Sequence, residues 1–154
     1  LQPTYLRQKK AFVDFHHNDT MRGPNHQNRL FKEDRTKIFE ILEPTNLIDY
    51  GAPIRRSELW RTKGNYAFSI SPPGNGLDTH RTWEDLSLGC IVIVKTSPLD
   101  PLYEGLPVVI VNDWAEITQE NMDLWLQKYA DAFTNPSYRE KLTTRYWIHK
   151  IHSK

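Results

Sequence analysis

The sequence predicts a doubly wound α/β domain, in which helices cover both faces of a parallel sheet, and three observations carry that expectation. Strand-like and helix-like segments alternate along the 154 residues. Two runs, "IVIVKTS" and "VVIVND", are continuously β-branched, as in strands buried on both faces. Polar or proline- and glycine-rich stretches follow four of the strand-like segments: "HHNDTMRGPN", "YGAPI", "SPPGNGLDTH" and "KTSPLDP". In an open parallel sheet, loops beyond the carboxyl ends of the strands hold the ligand, so these four are expected to converge at one edge.

Taken in order, "AFVDFHH" (Ala11 to His17) reads as the first strand. "RLFKEDRTKIFEIL" follows it, with Leu30, Ile38, Ile41 and Leu42 at helical spacing. "NLIDYG" reads as a short strand, "RRSELWRTKG" as a short helix, and "YAFSISP" as a strand stopped by Pro72 and Pro73. "HRTWEDLSLG" is helical, and the connector "PLDPLYEGLP" separates the two β-branched runs. "ENMDLWLQKYADAFT" and "SYREKLTTRYWIHKI" have amphipathic helical spacing and part at Asn135 and Pro136. The strands "YAFSIS", "IVIVK" and "AFVDF" are expected near the sheet centre.

A chain that is 38% apolar and 12% aromatic can bury one core, so residues 1–154 read as a single domain or as half of a two-domain protein. A last helix over about 137–152 is the expected packing surface for a partner domain. The net charge of +1, without a lysine or arginine run, argues against nucleic acid as partner. No segment approaches the ~20 apolar residues of a membrane span, and "LQPTYLRQKK" has no apolar signal core. Leu1 in place of methionine is the expected mark of a segment excised from a longer chain. The single cysteine, Cys90, excludes an internal disulfide and reads as a buried structural thiol.

"PPGNGLDTHR" departs from the dinucleotide pattern G-x-G-x-x-G and lacks the P-loop lysine, so neither nicotinamide nor ATP is indicated. Gly74 and Gly76 can nonetheless adopt backbone angles closed to other residues. A helix starting near Thr79 would offer unpaired N–H groups to a phosphate. Arg81 in its first turn would add a charge-assisted pair of bonds, and Glu84, one turn on and on the same face, could accept from two ribose hydroxyls. The plain alternative is an ion pair on a solvated helix.

"SPPGNGLDTHRTWEDLSLGCIVIVKTSPLDPLYEGLPVVIVNDWAEIT" closely resembles the carboxy-terminal portion of exostosin-like glycosyltransferases, whose motif runs S-P-R-G-N-G-x-D-x-H-R-x-W-E, then a helix, then L-G-C-I-P-I-V. The resemblance is strongest from about Tyr66 to Thr118. It implies the donor-binding half of a two-Rossmann-domain (GT-B) enzyme that inverts the anomeric centre during glycan biosynthesis. The expected donor is a nucleotide sugar, with UDP as the expected carrier. Carried over residue by residue, Glu84 holds the donor ribose. Arg81, the backbone of Gly74, Asn75 and Gly76, and Thr79 or His80 face the diphosphate, with Asp78 on the donor sugar. More distantly, the layout implies that the loop after the second strand meets the base through Tyr50, Ala52, Pro53 and Ile54, and that Ser97 and Asp100 meet the sugar. Arg22 is a candidate second phosphate contact. Two positions depart from the motif: Pro73 stands where the family has arginine, and Val92 where it has proline.

Other residues invite weaker readings. His16 and His17 are adjacent on a strand, point to opposite faces and cannot easily share a metal. Arg29 reads as solvated charge. Asp100 and Glu104 suggest a glycosidase pair only if a sugar cleft lies between them. Trp114, Trp125 and Trp147 read as core or interface anchors.

Inverting transfer needs a base for the acceptor hydroxyl and electrostatic help for the departing diphosphate. This chain is expected to supply the second alone. The base and the glycan-acceptor site are expected on an amino-terminal acceptor domain in the same or another chain, so the catalytic residue is unknown. No metal or other cofactor is expected, since Arg81 and the helix start would do the work of a divalent ion. The competing class is a non-catalytic nucleotide- or protein-binding α/β module. A flavodoxin-like or signalling domain would need an acidic cluster or flavin loop that the residues lack. The compartment stays open: the Golgi lumen suits an animal family member, the cytoplasm a viral or bacterial one.

Overall fold

A computed structural model describes residues 3–13, 26–50, 56–72, 80–129, 131–134 and 140. Its centre is a five-stranded sheet, with every pairing parallel, built from β1 (Gln8–Val13), β2 (Ile48–Tyr50), β3 (Tyr66–Ile70), β4 (Ile91–Lys95) and β5 (Val108–Val111). The strand order is β2-β1-β3-β4-β5. Among the described residues four α-helices accompany them: α1 (His26–Leu42), α2 (Arg56–Lys63), α3 (His80–Ser87) and α4 (Gln119–Lys128). This is the doubly wound, Rossmann-like α/β architecture that the alternation predicts, with β3 at the centre between β1 and β4.

The two faces carry separate cores. On one, Ala11, Val13, Phe68, Ile70, Ile91, Ile93, Val109 and Val111 pack with Ile38, Phe39 and Leu42 of α1 and Met122 and Leu126 of α4. On the other, Val92, Val94 and Val108 pack with Leu86 of α3 and with Tyr103 and Leu106 of the connector. Right-handed crossovers require this split. The step β1-α1-β2 moves outward in one direction along the sheet, while β2-α2-β3 and β3-α3-β4 move in the other, which puts α2 and α3 together on the face away from α1. Strands buried on both sides need not alternate in polarity, which is why β4 reads as a continuous apolar run, and β3 is buried at every position although Ser69 interrupts its apolar residues.

Several boundaries differ from the sequence reading. β1 begins at Gln8, three residues before Ala11, because its polar start "QKK" reaches past the covering helices and is largely exposed there. α1 begins at His26 rather than Arg29. β5 is an edge strand of the described sheet, not a strand buried on both faces, and Ile110 is 39% exposed. α4 ends at Lys128 instead of continuing to Thr134. There Tyr129 leaves the helix and its hydroxyl donates to the outward carbonyl of Val108 at 3.3 Å, covering part of the β5 edge. The expected helix over about 137–152 lies, apart from residue 140, outside the described residues, as do His16, His17 and Trp147.

α3 ends in a Schellman motif: Gly89 N–H donates to Leu86 O and Cys90 N–H to Asp85 O, each at 3.0 Å. Gly89 takes φ +86°, which strains any side chain, and a Cβ there would lie 2.6 Å from Nη2 of Arg7, so the guanidinium would have to shift. Arg7 in turn reaches the carbonyl of Tyr66 at 3.5 Å and Sγ of Cys90 at 4.0 Å, while Thr4 Oγ1 donates to Gly89 O at 2.8 Å. These contacts close the amino edge of the sheet, opposite the expected ligand loops.

Candidate functional site

The strand order reverses between β1 and β3, since the chain steps outward from β1 to β2 and then returns to the other side. The carboxyl ends of these two strands therefore flank the crevice where sheets of this kind hold ligands. The glycine stretch 73–79 joins the carboxyl end of β3 to the first turn of α3, so its covalent attachment points lie at this reversal. Three of the expected ligand loops begin, at Tyr50, Ser71 and Lys95, at the carboxyl ends of parallel strands and hence at one edge, while the stretch from His16 lies outside the described residues.

Arg81 and Glu84 are both part-buried on α3. The buried stripe of this helix is Thr82, Asp85 and Leu86. Trp83 leans to one side of that stripe, with its ring 5.9 Å from that of Tyr103 in the connector toward β5. At 100° per residue, Arg81 and Glu84 lie on the opposite flank from Trp83. That flank faces the β1 side of β3, over the reversal. Asp85 agrees with this orientation, because it meets Lys63 of α2 on the same side, at 2.7 Å.

Ser71 Oγ and Thr82 Oγ1 are 2.8 Å apart and both side chains are buried. The exit of β3 and the entrance of α3 are thus tied directly to each other. Deeper in the same face, Ser69 Oγ donates to Asp85 Oδ2, and Asp85 Oδ1 accepts from Lys63 Nζ. Sequence reasoning gave none of these side chains a role, although Ser71 opens one of the expected ligand loops. The available signal was Thr82 and Asp85 in an otherwise apolar helical stripe, facing Ser69 and Ser71 at alternate positions near the end of an apolar strand.

Cys90 is sealed, and burial together with the charge of Asp85 pushes its thiol up to about 12. Sγ donates to the carbonyls of Lys63 at 3.5 Å and Tyr66 at 3.7 Å, so the residue is a structural thiol as expected.

The remaining sequence candidates divide. Tyr50, at the end of β2, is 55% exposed, stands edge-on to Phe39 with centroids 5.3 Å apart, and donates its hydroxyl to Glu43 at 3.0 Å. Ser97 and Asp100 do come together after β4. Asp100 Oδ1 accepts from Ser97 N–H at 2.9 Å, Asp100 Oδ2 from Thr96 Oγ1 at 2.6 Å, and Ser97 Oγ from Leu99 N–H at 3.1 Å. Those bonds shape the turn itself. Three strand spacings separate Tyr50 from Ser97, a span of about 14 Å along the edge. Lys95 at the end of β4 is paired with Asp34 of α1 at 2.9 Å, and Trp114 Nε1 donates to the same oxygen at 3.0 Å, which fastens α1 over the ends of β4 and β5. Trp114 is a core residue, 1% exposed, and Trp125 packs against that core. Gly74, Asn75, Gly76, Asp78, Thr79, Arg22, Ala52, Pro53 and Ile54 lie outside the described residues, and His80 begins α3. Among the described residues no group of His, Cys, Asp and Glu is arranged to hold a metal ion, and no helix is long and apolar enough to cross a membrane.

No protein-family model matches the sequence. No curated protein matches it either. Among solved structures, the chain is similar to the E. coli heptosyltransferase WaaC with ADP, at 14% identity and a TM-score of 0.39, over 80% of this chain and 45% of that one. The chain therefore spans less than half the length of that structure.

Proposed function

We infer that the chain is the donor-binding domain of an inverting glycosyltransferase of the exostosin-like type, taking a nucleotide sugar, with UDP as the carrier, and transferring its sugar to a glycan acceptor held by a second domain. The observation that carries this reading is the stretch "GNGLDTHRTWE" joining the central strand to α3 where the strand order reverses. That motif combines two glycines, a helix start, an arginine in the first turn and a carboxylate one turn later. In the proposed assignment the base lies toward Tyr50, Pro53 and Ile54 after β2 and the ribose on Glu84. The diphosphate meets Arg81, His80, Thr79 and the Gly74–Gly76 backbone, with Arg22 across the crevice, and the sugar lies toward Asp78, Ser97 and Asp100 after β4. The order of strands along the edge supports this sequence of subsites, since the Arg81–Glu84 flank of α3 faces the β2 side and the Ser97 turn lies on the other.

In this reading Arg81 and the first-turn N–H groups of α3 stabilise the negative charge on the departing diphosphate, with no metal required. The domain orients the donor and stabilises the leaving group. The base that deprotonates the acceptor comes from the acceptor domain, so this chain alone binds nucleotide without transferring sugar. Pro73, in place of the family arginine, favours a second reading, a non-catalytic nucleotide- or protein-binding module. Strand order does not choose between these, because doubly wound sheets host many functions.

Calorimetric titration with UDP, GDP and ADP tests the reading. Preferential binding of UDP is expected, and silence from all three would overturn it in favour of the interaction module.

A further inference from the structure

We propose that Ser69, Ser71, Thr82 and Asp85 form a two-rung polar ladder that sets the rotation and register of α3 on β3, and so positions Glu84 and Arg81 for the nucleotide. The inference rests on the donor-site reading above. The outer rung is the 2.8 Å contact between Ser71 and Thr82. The inner rung is the bond from Ser69 to Asp85, held from behind by Lys63 at 2.7 Å. All five side chains are buried.

The geometry suits a register device. Ser69 and Ser71 lie on one face of the strand about 6.6 Å apart, while Thr82 and Asp85 lie on one side of a helix running back over it. The residue nearer the carboxyl edge, Ser71, therefore pairs with the residue nearer the helix start, Thr82, and the deeper Ser69 with the later Asp85. Elsewhere α3 meets the sheet through Leu86 on Val92 and Val94, and such apolar contact is non-directional. Hydrogen bonds demand distance and angle, and two of them at different depths fix both slide and rotation. Each rung also sits one residue from a candidate ligand side chain: Thr82 beside Arg81, Asp85 beside Glu84. A helix rotation of about 20° moves a side-chain tip about 2 Å, since it rides about 5–6 Å from the axis. That displacement breaks a ribose hydrogen bond.

The outer rung can be cut with little change of shape by Thr82→Val, while Thr82→Ser keeps the hydroxyl. The measurement is the ratio of affinities for UDP and 2′-deoxy-UDP in the full chain, by calorimetry, alongside thermal unfolding. A residue that only stabilises the fold changes the active fraction equally for both nucleotides and leaves the ratio alone. Expected is a native preference of roughly tenfold or more for UDP, falling toward one in Thr82→Val and restored in Thr82→Ser. Ser71→Ala should match Thr82→Val, and serves in its place if that variant does not fold. A native-like ratio in folded Thr82→Val or Ser71→Ala overturns the ladder. The absence of any ribose preference in the native protein overturns the donor-site reading and the proposal with it, a failure visible before any substitution is made.

Discussion

Lys63 Nζ lies 2.7 Å from Asp85 Oδ1 with both side chains sealed from solvent, at 1% and 0% exposure. A buried ion pair gains little over apolar residues of the same shape, but breaking one from a single side is severe, because it leaves a charge in a medium that cannot solvate it. Lys63→Met should therefore cost about 3–5 kcal/mol in urea unfolding at pH 7. Adding Asp85→Asn, whose amide oxygen still accepts from Ser69, should restore more than half of that loss. A cost below about 1 kcal/mol for the single variant would mean that Asp85 sheds its charge readily and that the pair is not a fixed strut.

The same pair shows where legibility in the sequence stopped. Periodicity finds residues whose polarity matches their burial, so β3, β4 and the apolar stripe of α1 were legible, along with the architecture that follows from them. It treats polar residues as surface, so Lys63, Ser69, Ser71, Thr82 and Asp85 were missed although they join α2, β3 and α3. The end of α4 was overrun for a related reason. Tyr129, Ala132 and Phe133 keep helical apolar spacing, while the chain turns away so that Tyr129 can cap Val108. Of the candidate site, the placing of Arg81 and Glu84 on one flank of α3 was legible from their spacing of three. Which way that flank points was not, because it depends on Trp83 meeting Tyr103 and Asp85 meeting Lys63, contacts between segments distant in sequence.

Cys90 should be inert in the folded protein. It is 0% exposed, and burial with the neighbouring Asp85 charge raises its thiol to about 12, so at pH 8 it is both inaccessible and protonated. Ellman's reagent should find one reactive thiol per chain in denaturant, from the single cysteine, and a native reaction no faster than unfolding. Rapid native modification would contradict the sealed amino edge formed by Arg7, Gly89 and Tyr66.

Asp49 gives the acid limb of stability a specific origin. Its carboxyl is held below the usual range, chiefly by the Tyr66 hydroxyl at 2.7 Å and further by Lys10 at 3.1 Å, against an opposing contribution from burial. A depressed carboxylate contributes stability that is complete above its unfolded pKa of about 4 and is lost as pH falls through the folded value. Tyr66→Phe should therefore cost about 1 kcal/mol at pH 7, less than the about 1.5–3 kcal/mol of a sheltered bond to a charged group because Asp49 is 35% exposed. That difference should shrink as the pH drops below about 4. Urea unfolding of both proteins at pH 7, 5 and 3 reads it directly, and a difference independent of pH would show that the lost bond is not to ionised Asp49.

Glu84 is the sharpest test of the donor site. A carboxylate accepting from both ribose hydroxyls makes charge-assisted bonds worth about 1.5–3 kcal/mol, so Glu84→Ala should weaken UDP binding by roughly ten- to a hundredfold. Glu84→Gln should do less damage, because its amide oxygen still accepts. If the residue were only a helix-surface partner of Arg81, the alanine change would alter stability by about 0.5 kcal/mol or less and leave binding nearly intact. The flank that Glu84 occupies argues for the ligand, since it faces the reversal of strand order on the side of α3 away from Trp83. Comparing UDP with 2′-deoxy-UDP isolates the bond in question: the native protein should discriminate between them and Glu84→Ala should not. Equal discrimination by both proteins would move the ribose to another residue, and equal binding of UDP by both would remove Glu84 from the site.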